Sequence, residues 1–321
     1  YTDDILTQKA AHAFILRSPH AHATFTITDI AAAKAMKGVL AVYTAADLGD
    51  MPGVACAAPM QKADGQLMEA PEWPLLCKGK VMHVGDAVAM IVAGSLAEAR
   101  DAAEAIAIDY NPLPVVTTIA DAIKPKAVAV WSEAAPGNIA YDQTLGSKEQ
   151  ADAAFAKAAH VVTLTVDNNR LITNYMETRA CIGEYDAKDK RYTLTLGSQG
   201  VHGIQGAVGK ILGVGPEKLR VITPDVGGGF GTKSFNYREY PLVLFAAKAL
   251  KRPVKWTQER TEHFLSCAHG RDNLTTAEMA LDARGRFLAM RVHIRGNLGA
   301  YASQYGPCLL YTSDAADEED S

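Results

Sequence analysis

The chain of 321 residues is 48% apolar and 21% charged, which excludes the hydrophobicity-poor composition of a disordered protein and the repeats of a fibrous one. At roughly 150 residues per domain it has room for about two cores. Thirty-two basic residues face 36 acidic ones, five of the acids fall after Pro307, and no basic stripe suits nucleic acid.

Residues 11–17 and 21–27 read as strands separated by the Ser18-Pro19 break, and Asp29 can cap an Ala-rich helix that stops near Gly38. A strand returns at Val39–Thr44. Val84–Ala93 is a nearly continuous apolar run, as expected of a strand buried on both faces, and far too short for a membrane span. Ser95-Leu96-Ala97-Glu98 is a capping box for a helix with Leu96, Ala99, Ala103 and Ile106 on one face, and a further strand follows at 106–110. These elements make an α/β domain over residues 1–118. Closely spaced Pro and Gly breakers mark a linker over 119–148.

The second domain, 149–307, opens with a helix over 149–159 and a strand over 161–167. A strand at 191–196 leads into Gly197-Ser198-Gln199-Gly200 and a helix closed by Gly213. A strand at 219–222 leads into Val226-Gly227-Gly228-Gly229-Phe230-Gly231-Thr232-Lys233. Pro241 sits in the first turn of another helix, and two long strands at 273–281 and 287–296 form a hairpin. The segment 308–321 breaks this style and resembles translated sequencing adapter, a non-native tail not expected to pack.

Four glycines in five positions at Gly227–Gly231 leave no Cβ to obstruct a ligand, and successive N–H groups in such a turn can form an anion-binding nest. A phosphate-binding loop is the rival reading, since Gly227, Lys233 and Ser234 sit in the right positions. Thr232 stands where that pattern needs glycine, however. His20 and His22 share one face of the expected strand as a possible metal pair. His202 near Gln199 is a possible site residue, and Glu177 and Glu239 are possible acids or bases. The five cysteines are scattered without a C-x-x-C pair. That argues against a disulfide framework or a cysteine-ligated cluster in this chain and for free thiols in a reducing, cytoplasmic setting. The chain begins at Tyr1 without a methionine, so a periplasmic location stays open.

Residues 9–115, with Arg17-Ser18-Pro19-His20-Ala21-His22-Ala23 and Val84-Gly85-Asp86-Ala87-Val88-Ala89, resemble the hammerhead domain of the xanthine dehydrogenase and aldehyde oxidase family. The second domain resembles the first part of the same family's molybdenum-cofactor-binding region through Asn174-Tyr175-Met176-Glu177, Gly197-Ser198-Gln199, Pro224–Gly231 and Arg252-Pro253-Val254-Lys255. Carbon monoxide dehydrogenase-like large subunits of that family fit comparably.

The resemblance implies a mixed α/β fold and a molybdopterin-dependent hydroxylase subunit. Such a subunit would oxidise an aldehyde, an N-heteroaromatic or a similar small carbon substrate with oxygen from water. Molybdenum–molybdopterin, in its cytosine dinucleotide form, is the implied cofactor. Partner subunits carrying iron–sulfur clusters and FAD are implied as the route for electrons. Gln199 lies where the family's glutamine amide bonds an oxygen ligand of molybdenum. Gly228, Gly229, Phe230 and Gly231 lie where loop backbone approaches the metal's ligands. Ser234 stands where purine-oxidising members carry a substrate-binding glutamate, which argues against xanthine. The family's general-base glutamate is expected beyond residue 307, so this stretch alone would be inactive. A non-catalytic family member is the remaining alternative.

Overall fold

The computed structural model describes residues 1–307, and the expectation for the tail at 308–321 lies outside them. In chain order the elements are β1 (Ala11–Arg17), β2 (Ala23–Asp29), α1 (Ala31–Ala35), β3 (Val39–Tyr43), β4 (Lys80–Val81), β5 (Ala87–Ala93), α2 (Leu96–Glu104), β6 (Ala107–Pro112), α3 (Ile119–Ala122) and α4 (Lys148–Phe155). They continue with β7 (His160–Asn168), β8 (Ala180–Asp186), β9 (Arg191–Leu196), α5 (Val201–Leu212), β10 (Leu219–Ile222), α6 (Glu239–Leu250), β11 (Val254–Thr257), α7 (Arg260–Ser266), β12 (Asn273–Leu281) and β13 (Phe287–Gly296). Two compact units result. One gathers Tyr1–Ala55, Glu72–Val115 and Ile172–Ala268. The other gathers Cys56–Pro71, Val116–Leu171 and the chain from His269 on.

The first unit is organised by a mixed seven-stranded sheet in the order β10-β9-β8-β11-β1-β5-β3. Strands from both ends of the sequence meet there. β1 pairs in parallel with β11 at Ala11↔Val254, His12↔Lys255 and Ala13↔Trp256, and antiparallel with β5 on its other side. Every residue of β5 is buried, as its unbroken apolar run requires. Its period-two alternation sends Met90 and Val92 into one core with Ala13, Ile15, Leu194, Leu242 and Trp256. Ala89, Ile91 and Ala93 enter a second core with Val42 and Ala99 of α2. Each fully buried large side chain here contributes about 2 kcal/mol of apolar burial. Ser95 caps α2 by accepting from the Glu98 N–H, as the capping box predicts.

The chain direction of this sheet fixes where ligand loops fall. β9 and β10 run parallel and end side by side, at Leu196 and Ile222. β9 feeds Gly197–Gly200 and then α5, while β10 feeds the glycine loop. Open α/β sheets place ligands at such carboxyl ends of strands.

The second unit is built on a three-stranded antiparallel sheet, β13-β12-β7. Its register aligns Val162, Leu164 and Val166 with Met279, Ala277 and Thr275, and these in turn with Met290, Val292 and Ile294. On the opposite face Arg291 donates to Asp152 of α4 at 2.8 Å and lies 4.2 Å from the Phe155 ring centre. The apolar face keeps Val162, Leu164, Val166, Met290 and Val292 exposed. Part of the breaker-rich stretch is tied down through Asn138. Its side-chain oxygen accepts from the Val130 N–H, and its amide nitrogen donates to the Ala122 and Val128 carbonyls.

Some boundaries differ from expectation. β2 begins at Ala23, which leaves His20 and His22 in the irregular stretch before it. β5 begins at Ala87, because Asp86 is turned inward to accept from the Met82 N–H and from Arg238. β8, β11 and α7 carried no clear local signal.

Candidate functional site

Three segments of the first unit converge at the ends of β9 and β10. The first is Tyr175-Met176-Glu177, ahead of β8. The second is Gly197-Ser198-Gln199, and the third runs from Gly227 to Lys233. Gln199 and Gly231, far apart in sequence, are joined directly: the Gly231 N–H donates to Gln199 Oε1 at 2.9 Å. With its oxygen so engaged, the Gln199 amide keeps Nε2 as a donor without a partner among the described residues. The Gly228, Gly229 and Phe230 N–H groups donate to nothing among the described residues. The loop is closed by the Thr232 N–H donating to the Gly229 carbonyl at 2.9 Å.

Glycine is needed here for two separate reasons. Gly228 and Gly231 have φ of 91° and 89°, a region that side chains rarely adopt, whereas a Cβ on Gly229 would stand 2.5 Å from Gln199 Oε1. Phe230 itself is left-handed at φ 47° and 74% exposed, so the loop holds a strained, solvent-facing aromatic at its tip.

Beneath the loop, Glu177 and Lys233 form a buried ion pair with Oε2 and Nζ 2.7 Å apart. The same Oε2 accepts the Gly227 N–H at 2.8 Å. Burial pulls the Lys233 ammonium below its usual range, partly offset by Glu177. Glu177 Oε1 is buried without a partner among the described residues. Glu177 is thus committed to holding the loop, and Lys233 points inward to it rather than out toward a phosphate.

Deeper still, Glu239 accepts from Arg17 at 2.7 Å and Arg179 at 2.9 Å. Burial alone would raise its pKa, but Arg179 and Arg17 reverse that and bring it down to about 2. It is a structural counter-ion and carries no proton to exchange near neutrality. Arg179 Nε also donates to Cys267 Sγ at 3.1 Å, and the Tyr175 hydroxyl lies 3.4 Å from the same sulfur. Burial opposes thiolate formation, yet Arg179, His263 and Tyr175 outweigh it and lower the Cys267 thiol to about 6. Sequence reasoning missed Arg179, Cys267 and the inward role of Lys233, since nothing local marks a charged residue as buried.

The other candidates disperse. His22 Nδ1 meets the Pro114 carbonyl at 2.7 Å and the His20 ring packs 4.7 Å from that of Tyr110. No group of three His, Cys, Asp or Glu suited to a metal occurs among the described residues. His202 is exposed in the first turn of α5. Among the described residues no helix is long and apolar enough to cross a membrane.

Family models match this architecture in two parts. The aldehyde oxidase and xanthine dehydrogenase a/b hammerhead domain matches residues 1–114, and the molybdopterin cofactor-binding domain matches 131–316. The chain belongs to the xanthine dehydrogenase and aldehyde oxidase family of molybdopterin-binding large subunits. It is 35% identical over 301 residues to the nicotine 6-hydroxylase large subunit of Paenarthrobacter nicotinovorans, covering 94% of this chain and 36% of that protein. It is 34% identical over 312 residues to the carbon monoxide dehydrogenase large chain of Afipia carboxidovorans, covering 94% and 38%. Among solved structures, quinoline 2-oxidoreductase from Pseudomonas putida 86 superposes with a TM-score of 0.83 at 31% identity, covering 94% of this chain and 37% of that one. The chain therefore spans little more than a third of the length of the relatives it matches.

Proposed function

We propose that this chain forms part of the molybdenum-cofactor pocket of a hydroxylase that oxidises a small carbon substrate with oxygen from water. The observation that carries the reading is the 2.9 Å bond between Gly231 and Gln199, which unites the two loops at the strand ends and turns the Gln199 amide nitrogen outward. The residues fit an electronegative group. Gln199 Nε2 and the Gly228, Gly229 and Phe230 N–H groups are donors without partners among the described residues. Gln199 and Phe230 would contact oxygen ligands of the molybdenum, and Gly228, Gly229 and Gly231 would let the backbone approach. When bound, the cofactor supplies the activated oxygen and the two-electron sink. This chain's own part is orientation. Glu177 fixes Gly227, the Lys233 carbonyl accepts from the Gln199 N–H, and Gln199 in turn orients Gly231.

An aldehyde or N-heteroaromatic substrate is our preferred reading, and carbon monoxide is the alternative within the family. Relatives named as a large subunit and as subunit gamma of a complex support assembly with other subunits, and the family resemblance alone implies that these carry iron–sulfur clusters and FAD and that the cofactor is the cytosine dinucleotide form. Buried free thiols at Cys77, Cys181 and Cys267 support a cytoplasmic setting.

The test is metal analysis and turnover of the purified holoenzyme beside its Gln199→Ala variant. We expect molybdenum in both and turnover lowered by about 100-fold or more in the variant, as for other preorganised donors. Wild-type protein without molybdenum, or a variant of unchanged turnover, would overturn the reading.

A further inference from the structure

Glu177 and Lys233, 56 positions apart, are the point at which all three site segments are tied together. The Glu177 carboxylate takes the Lys233 ammonium at 2.7 Å and the Gly227 N–H at 2.8 Å. The Glu177 N–H donates back to the Gly227 carbonyl at 3.2 Å, and the Gln199 N–H donates to the Lys233 carbonyl at 3.2 Å. A Cβ on Gly227 would meet Glu177 Cβ at 2.6 Å, and one on Gly197 would lie 3.4 Å from Glu177 Oε2, so the backbone closes directly on the pair. The Lys233 side chain is 0% exposed, and its ammonium sits 4.6 Å from the centre of the Tyr175 ring.

A buried ion pair of this kind seldom adds net stability over an apolar pair of the same volume, because both charges are stripped of water. What it adds is definition: two charges and two main-chain bonds permit one arrangement. Both side chains face the underside of the loop, away from a role as proton donor to a substrate.

We propose that Glu177 and Lys233 are positioning residues whose ion pair sets the glycine loop against Gln199. The proposal rests on the reading of this site as a molybdenum-cofactor pocket. The pair acts through other residues. It holds Gly227 at the start of the loop and Gln199 beside its end, and so fixes where Gln199 Nε2 and the Phe230 N–H point.

The experiment compares wild-type holoenzyme with Glu177→Gln, Lys233→Met, Lys233→Arg and the double variant E177Q/K233M. The readouts are molybdenum per subunit, kcat and KM separately, and amide hydrogen exchange at Gln199 and Gly227. Glu177→Gln keeps the shape of the side chain and remains informative if Lys233→Met does not fold. We expect exchange at both amides to quicken about tenfold or more in E177Q and K233M, at Gly227 because its bond to the Glu177 carboxylate is weakened or released and at Gln199 because Lys233, whose carbonyl it meets, is no longer anchored. We expect kcat to fall about 10- to 100-fold with KM nearly unchanged, the scale set by sub-ångström misplacement of a reacting group. The double variant should be no worse than the weaker single one, and Lys233→Arg should recover part of the loss. Unchanged exchange in molybdenum-loaded variants, losses confined to KM, or additive losses in the double variant would overturn the positioning role alone. Wild-type protein without molybdenum would instead remove the functional reading beneath it.

Discussion

Two glycines of one loop should fail for opposite reasons. Gly229 lies outside the left-handed region, so alanine fits its backbone, but the new Cβ would stand 2.5 Å from Gln199 Oε1 and 2.8 Å from its Cδ. Ordinary contact begins near 3.4 Å, so the amide oxygen must retreat by roughly 0.9 Å and forfeit its bond to the Gly231 N–H. Gln199 is exposed, and that lost bond costs about 1 kcal/mol at most. Stiffening the unfolded chain by a Gly→Ala change returns a similar amount, so the melting temperature of Gly229→Ala should hardly move. Turnover should fall about 100-fold, because the Gln199 donor is displaced by nearly an ångström. Gly231→Ala meets nothing within 4 Å but must hold φ near 89°. It should cost about 1–2 kcal/mol and a few degrees of melting temperature, with the smaller loss of turnover. Thermal melts and steady-state turnover on the two holoenzyme variants check this. A Gly229→Ala enzyme of wild-type turnover, or a Gly231→Ala enzyme that loses more activity than Gly229→Ala, would refute the reasoning.

Other expectations follow from the buried charges and the open sheet face. Glu239 has a folded pKa near 2 against an ordinary value near 4.5, so its stabilisation is complete above about 4.5 and is lost as pH falls toward 2. Denaturant melts of wild type and Glu239→Gln should converge in acid, and a constant gap across that window would contradict it. Glu239→Gln should also cost about 3–5 kcal/mol at neutral pH by leaving Arg17 and Arg179 short of a counter-charge, measured by the same melts. Cys267, lowered to about 6, should show thiolate ultraviolet absorbance at pH 7 that Cys267→Ser removes. Its contribution to stability is full above the ordinary thiol range and fades as pH drops through 6. Val162→Thr and Met290→Thr should leave the melting temperature of this 321-residue chain nearly unchanged and reduce its aggregation, read by light scattering, because both side chains are exposed on an apolar sheet face.

Local pattern was enough for elements whose signal is local. β1, β9, β10, β12 and β13 fall on the expected residues, since each is a clean apolar or alternating run between breakers. The assembly was not legible in that way. β11 is a four-residue strand directly after Arg252-Pro253, and only its place between β1 and β8 makes it part of the sheet. At the site, the glycine run and Gln199 stand out in the sequence because missing side chains and a strand-end amide are visible there. Glu177 and Lys233 were each noticeable alone, Glu177 as a possible acid or base and Lys233 as a possible phosphate ligand. Their meaning lies in facing each other across 56 positions, and an ion pair leaves no mark on local periodicity. Arg179 and Cys267 look like ordinary surface and core residues until the guanidinium is seen to bridge Glu239 and the sulfur.

The most direct measurement is an anomalous-difference map of the holoenzyme collected at the molybdenum absorption edge. A single peak whose ligands accept from Gln199 Nε2 and the Phe230 N–H is the predicted result. A peak away from these two residues, or none in an active enzyme, would contradict it.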